Sequence, residues 1–206
     1  MVRTAKTAVA DPALIDQRVH LSGVSWGDYE RLLELRGEHS SVRLTYLDGE
    51  LEIMTPSDPH ERQKKRLARL LEAWSEEAGI DLEGVGSWTL RSELQKRGLE
   101  PDECYFVGHA GRGATAPDMA IEVVWTSGGL DKLTVYAGLG VREVWFWKDD
   151  ALAFHALRQN RYERIARSEL LPALDPELIG RHMVADTSQS QAVRDLRAAM
   201  RSRQDP

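Results

Sequence analysis

Residues 119–125 read Met-Ala-Ile-Glu-Val-Val-Trp, seven residues with a single charge among them. A run this short and this apolar predicts a central strand covered on both faces. A carboxylate at position 122 is costly to bury there unless a cation or a lysine compensates it. Side chains alternate along a strand, so Asp118, Ala120, Glu122 and Val124 share one face. Two Pro-Asp dipeptides, Pro101-Asp102 and Pro117-Asp118, stand at the starts of apolar stretches. If the strand after Asp102 pairs alongside, three carboxylates converge on one region. Oxygen-rich sites of that kind suit Mg²⁺ or Mn²⁺ rather than Zn²⁺. On spacing alone a scaffold role is equally good: the aspartates cap turns and Glu122 pairs with a structural lysine.

The rest of the chain supplies layers for such a strand. Residues 1–20 have no clean period and are expected to form a loose arm, followed by one domain over 21–185 and a helical tail over 186–206. Ser25 and Asp28 ahead of Tyr29, Leu32, Leu33 and Leu35 predict a capped helix. Residues 42–47 and 50–54 alternate about Asp48-Gly49, a strong hairpin signal. A long helix is expected over 59–78, with Leu67, Leu70, Leu71 and Trp74 as its apolar stripe and Gly79 as its stop. Alternating stretches near 80–90 and 103–107 precede the central strand. A helix over 130–139, a strand over 141–147, a hairpin turning at Gln159-Asn160 and two short helices follow it. The expected architecture is α/β, a mixed sheet flanked by helices.

Composition narrows the function classes. The chain has 206 residues, a formal charge of −6 and one cysteine, Cys104. A single cysteine excludes an internal disulfide and a cysteine-based zinc site. Net acidity disfavours a protein that coats nucleic acid with its whole surface, but leaves room for one basic groove. No apolar run spans a bilayer, no secretory leader is visible at the N-terminus, and a cytoplasmic location is expected. Trp145 and Trp147 read as core. The basic run over 62–69 and the arginines Arg194, Arg197, Arg201 and Arg203 read as solvated helix faces.

Taken in order, Pro101-Asp102, nineteen residues and then Glu122 are similar to the opening of the PD-(D/E)XK nuclease signature. Asp48-Gly-Glu-Leu-Glu-Ile-Met-Thr-Pro-Ser with His60, then residues 116–125, Lys132, Tyr136 and Gly140-Val-Arg-Glu-Val-Trp-Phe-Trp, resemble the Uma family of restriction endonucleases. The resemblance covers roughly residues 25–180, and the ordered set is more specific than any one motif. It implies a restriction-endonuclease-like fold and a Mg²⁺-dependent (or Mn²⁺-dependent) nuclease acting on DNA, with Asp102 and Glu122 as metal ligands.

The signature lysine would stand at position 124, which is Val124 here. Lys132, on the helix face of Tyr136 and Leu139, is the replacement that the family pattern implies. In that reading Asp102, Glu122 and Lys132 are catalytic. Asp118, Glu50 and His60 are auxiliary candidates, each with a structural alternative: a loop cap, a hairpin residue and a helix-start histidine. Cutting both DNA strands makes a homodimer the natural assembly. The competing class is a nuclease-fold module that binds nucleic acid or protein without cutting.

Overall fold

The computed structural model describes residues 14–37, 41–108, 110–126 and 129–203. In chain order the elements begin with β1 (Gln17–Leu21), α1 (Trp26–Arg36), β2 (Arg43–Leu47), β3 (Glu50–Thr55) and α2 (Asp58–Ala78). Four strands follow: β4 (Leu82–Gly84), β5 (Leu90–Ser92), β6 (Arg97–Leu99) and β7 (Glu103–Val107). Then come β8 (Met119–Val123), α3 (Lys132–Ala137), β9 (Glu143–Lys148), β10 (Ala151–Arg158) and β11 (Arg161–Ile165). Helices α4 (Pro176–Val184) and α5 (Gln189–Arg201) end the fold.

The α/β expectation holds, and the strands divide into two sheets. One has the order β1-β3-β2-β6-β5, the other β11-β10-β9-β8-β7-β4. In the second, β8 and β9 are parallel and joined through α3, while the other pairs are antiparallel. A parallel pair needs such a crossover. The stretch read as one alternating run over 80–90 is split between the sheets: β4 joins the second and β5 the first.

The hairpin forms where the turn chemistry requires it. Asp48 and Gly49 take φ of 46° and 95°, the left-handed backbone of a two-residue turn between right-twisted strands. Helix α2 starts at Ser57, whose Oγ accepts from His60 N, and stops at Gly79 with φ 67°. Its stripe of Leu67, Leu70, Leu71 and Trp74 packs on Met119, Ile121 and Val123 of β8. Each such fully buried side chain contributes about 1.5–3 kcal/mol. The opposite face of β8 packs Ala120 with Val135 and Tyr136 of α3. Glu122 points to that second face.

Two boundaries differ from the sequence reading. Residues 1–13 lie outside the described residues, but from Gln17 the expected arm is strand β1, paired with β3. The tail helix α5 is part of the main core through Ala192, Leu196 and Met200. Its Arg197 and Arg201 pair with Glu76 and Glu77 of α2. Arg66 of the basic run donates to the carbonyls of His182, Ala185 and Thr187, so it clamps the chain between α4 and α5. Among the described residues no helix is long and apolar enough to cross a membrane.

Candidate active site

Register sets the two central acids opposite one another on neighbouring strands. Strands β7 and β8 pair Glu103 with Ile121 and Cys104 with Ala120. One further step sets Asp102 opposite Glu122, and the Val123 amide donates to Asp102 Oδ2 at 2.7 Å. Glu122 is 1% exposed. Its Oε2 accepts from Lys132 Nζ at 2.5 Å and its Oε1 from the Tyr136 hydroxyl at 2.6 Å. Positions 132 and 136 are one helical turn apart, which sets both donors on the face of α3 turned to the sheet. Burial, and then the Glu122 charge, push the Tyr136 phenol well above its usual range, so it stays a donor to the carboxylate.

Asp102 is fully buried and committed to protein donors. Arg43 forms an ion pair with it, and His60 Nε2 lies 3.0 and 3.1 Å from its two oxygens. The other ring nitrogen of His60 lies 3.2 Å from Asp16 Oδ2. Asp16 also accepts from the Ser57 amide and hydroxyl and from the Thr126 hydroxyl. Burial alone would raise the Asp16 carboxyl. The hydrogen bonds from His60 and Ser57 outweigh it and hold the group well below the usual carboxylate range. A carboxylate can only accept, so whichever imidazole nitrogen carries hydrogen finds an acceptor. His60 thereby ties the N-terminal segment to the start of β7.

Between the sheets lies a cavity of about 230 Å³, lined by Glu122, Lys132, His60, Arg18, Glu52 and Phe146 among others. That is room for several waters or a phosphate group. Asp102 stands behind this wall, connected to it through His60. Glu52, 2% exposed, faces the cavity from β3. Among the described residues no group of three or more His, Cys, Asp or Glu side chains stands arranged to hold a metal ion.

The auxiliary candidates separate clearly. His60 lines the cavity. Glu50 is exposed at the hairpin end and accepts from the Ser22 hydroxyl at 2.8 Å, away from the cavity. Asp118 shares the face of Glu122, but four residues along a strand are about 13 Å. There it accepts from the Val107 amide at 3.0 Å and pairs with Arg142 at 3.2 Å. It fastens strand ends there and does not line the cavity with Glu122.

The geometry can be set beside known proteins. Residues 26–186 match the Uma2 family, whose description is "Putative restriction endonuclease". The chain belongs to that family. No curated protein matches this Uma2 chain. A crystal structure of "a putative nuclease belonging to DUF820" from Anabaena variabilis ATCC 29413 is similar at 14% identity and a TM-score of 0.48. The match covers 81% of the Uma2 chain and 97% of that chain.

Sequence reasoning missed Glu52, Asp16, Arg18 and Arg43. Alternation gave one signal, because Glu52 shares its strand face with Glu50 and lies one pleat nearer the middle of β3. Asp16 sits in the stretch read as an arm, where no periodicity marks it.

Proposed function

We propose that this Uma2 chain is a Mg²⁺-dependent endonuclease that hydrolyses DNA phosphodiester bonds, with Glu122 and Lys132 at the reacting centre. The observation that carries this is a buried carboxylate bonded to a lysine and a tyrosine on the wall of a phosphate-sized cavity. Membership of a family described as restriction endonucleases supports the nuclease class and favours DNA as the substrate.

The donor set fits a hard divalent cation. The acids on the wall offer oxygen, and Mg²⁺ is commonly held by one or two carboxylates with water and substrate phosphate completing its shell. Glu122 would hold it from the wall. Asp102 would join by releasing one contact to Arg43 or His60. When bound, Mg²⁺ supplies charge for a phosphate oxygen and lowers the pKa of water. Lys132, one-fifth exposed, is the group able to turn from Glu122 toward phosphate and stabilise charge developing there. Tyr136 fixes the Glu122 carboxylate through its other oxygen, Oε1. Phe146 and Leu133 form the apolar part of the wall. A homodimer would present two such centres to the two strands.

The test is cleavage of supercoiled plasmid and single-stranded DNA with Mg²⁺ or Mn²⁺, comparing wild type, Glu122→Ala and Lys132→Ala. Loss in both variants with folding intact is the expected result. Cleavage that survives Lys132→Ala removes the lysine role and leaves the carboxylate role. A second reading, a module that binds nucleic acid or protein without cutting, is favoured by one observation: both Asp102 oxygens are engaged by protein donors. Metal-independent DNA binding, unchanged in Asp102→Ala and without cleavage by wild type, would select it.

A further inference from the structure

We propose that Glu52 is a second cation-holding carboxylate of this cavity, acting with Glu122 on a divalent cation of the Mg²⁺ class. The inference rests on the metal-dependent reading above and adds a ligand from the other sheet.

Among the described residues the buried acids are satisfied, with one exception. Glu143 accepts from Trp145, Ser168 and the amides of Glu169 and Leu170. Glu100 accepts from Thr89 and the Leu44 amide and pairs with Arg36. Asp16, Asp102 and Glu122 are engaged as described. Glu52 Oε2 is buried and, among the described residues, receives no hydrogen bond. Buried polar groups in native proteins are nearly always paired, so a bare carboxylate oxygen calls for an explanation.

The neighbouring basic side chains do not supply one. Arg18 Nε stands 3.8 Å from Oε2 and His20 Nε2 3.4 Å from it, neither as a hydrogen bond. The Arg18 guanidinium is turned to Thr126, with Nη1 2.8 Å from its hydroxyl. On another side the backbone of Gly129 closes in: with φ of 108°, a Cβ there would lie 2.5 Å from Oε2. A water could meet a lone pair, but Glu52 and Glu122 both face one cavity, and two carboxylates sharing a site favour a positive charge between them. Arg18 and Lys132 on the same wall would meet the phosphate that such an ion carries. Glu50, of like charge and sharing the strand face, has its carboxylate on Ser22 in solvent and serves as the control.

Titration of the full chain with Mn²⁺, followed by the electron paramagnetic resonance of the free ion, tests this without cleavage. Wild type is expected to bind a single Mn²⁺. Glu52→Gln and Glu122→Gln should each weaken binding about tenfold or more, and Glu50→Gln should leave it unchanged. If circular dichroism shows Glu52→Gln unfolded, Glu52→Asp keeps the charge, withdraws it by one methylene and should weaken binding in the same sense. Normal binding in the Glu52 variants with loss in Glu122→Gln overturns the role of Glu52 and leaves the metal-dependent nuclease standing. No binding by wild type at millimolar Mn²⁺ overturns both.

Discussion

Separating Lys132 from Glu122 should destabilise the fold by an amount that the burial of the two partners sets. Their atoms are 2.5 Å apart, but the Glu122 side chain is 1% exposed and that of Lys132 is 19% exposed. In Lys132→Met the glutamate is left with the Tyr136 hydroxyl and cavity water. Removing one partner of a fully buried pair costs about 3–5 kcal/mol. The cavity lets water reach this carboxylate, so about 1.5–3 kcal/mol is expected. In Glu122→Gln the stranded group is Lys132, which can turn to solvent, and the loss should be about 0.5–1.5 kcal/mol. Removing both charges leaves nothing stranded, so the double variant should be more stable than the sum predicts, with a coupling of about 1–2 kcal/mol. Urea unfolding of the four proteins at pH 7 reads this as shifts in midpoint at constant m. Additivity within about 0.5 kcal/mol would refute the coupling, and with it the claim that Lys132 is the group neutralising Glu122.

His60→Ala removes the bridge between Asp16 and Asp102, but Asp16 keeps Ser57 and Thr126 and Asp102 keeps Arg43 and the Val123 amide, so a loss of about 1–3 kcal/mol is expected. Calorimetry should show a Tm lower by roughly 2–4 °C per kcal/mol, and an unchanged Tm would mean that the bridge is not structural. The Asp16 carboxyl is held down in the folded chain, so as pH falls the unfolded chain takes up that proton first. Stability is therefore full above about pH 4 and is lost as the pH drops toward the folded value. Asp16→Asn should flatten that acid limb of the urea midpoint, and an equally steep limb would count against the assignment. Burial pushes the Cys104 thiol up to about 12, so at pH 8 it should react with a disulfide reagent only after unfolding. Rapid labelling of the native protein would contradict its burial. In Gly98→Ala the new Cβ would lie 2.3 Å from the Tyr29 hydroxyl, and Tyr29 is fully buried. A loss of about 1–3 kcal/mol in urea unfolding is expected from overpacking, and a neutral result would mean that Tyr29 can move.

Local physics wrote much of this protein into its sequence. Asp48-Gly49 dictates its hairpin because only a positive-φ turn matches the twist of the flanking strands. Ser57 and Gly79 bound α2 because a helix end needs an acceptor for its first amides and a left-handed residue for its last carbonyls. The single charge in residues 119–125 identifies Glu122 as a buried acid in need of a partner, and helical spacing brings Lys132 and Tyr136 to it. The hairpin, the helix ends and the shared helix face depend on neighbours within a few residues. The contacts with Glu122, ten and fourteen residues away, also need α3 to fold back on β8. The division into two sheets, the strand made by residues 17–21 and the docking of α5 depend on pairings between distant segments, which carry no local signature. The same reason decides the site. Alternation puts Glu50 with Glu52, and Asp118 with Glu122, on common faces. Only the packing of one sheet against the other decides which end of each face looks into the cavity, so Glu52 lies in it while Glu50 and Asp118 do not.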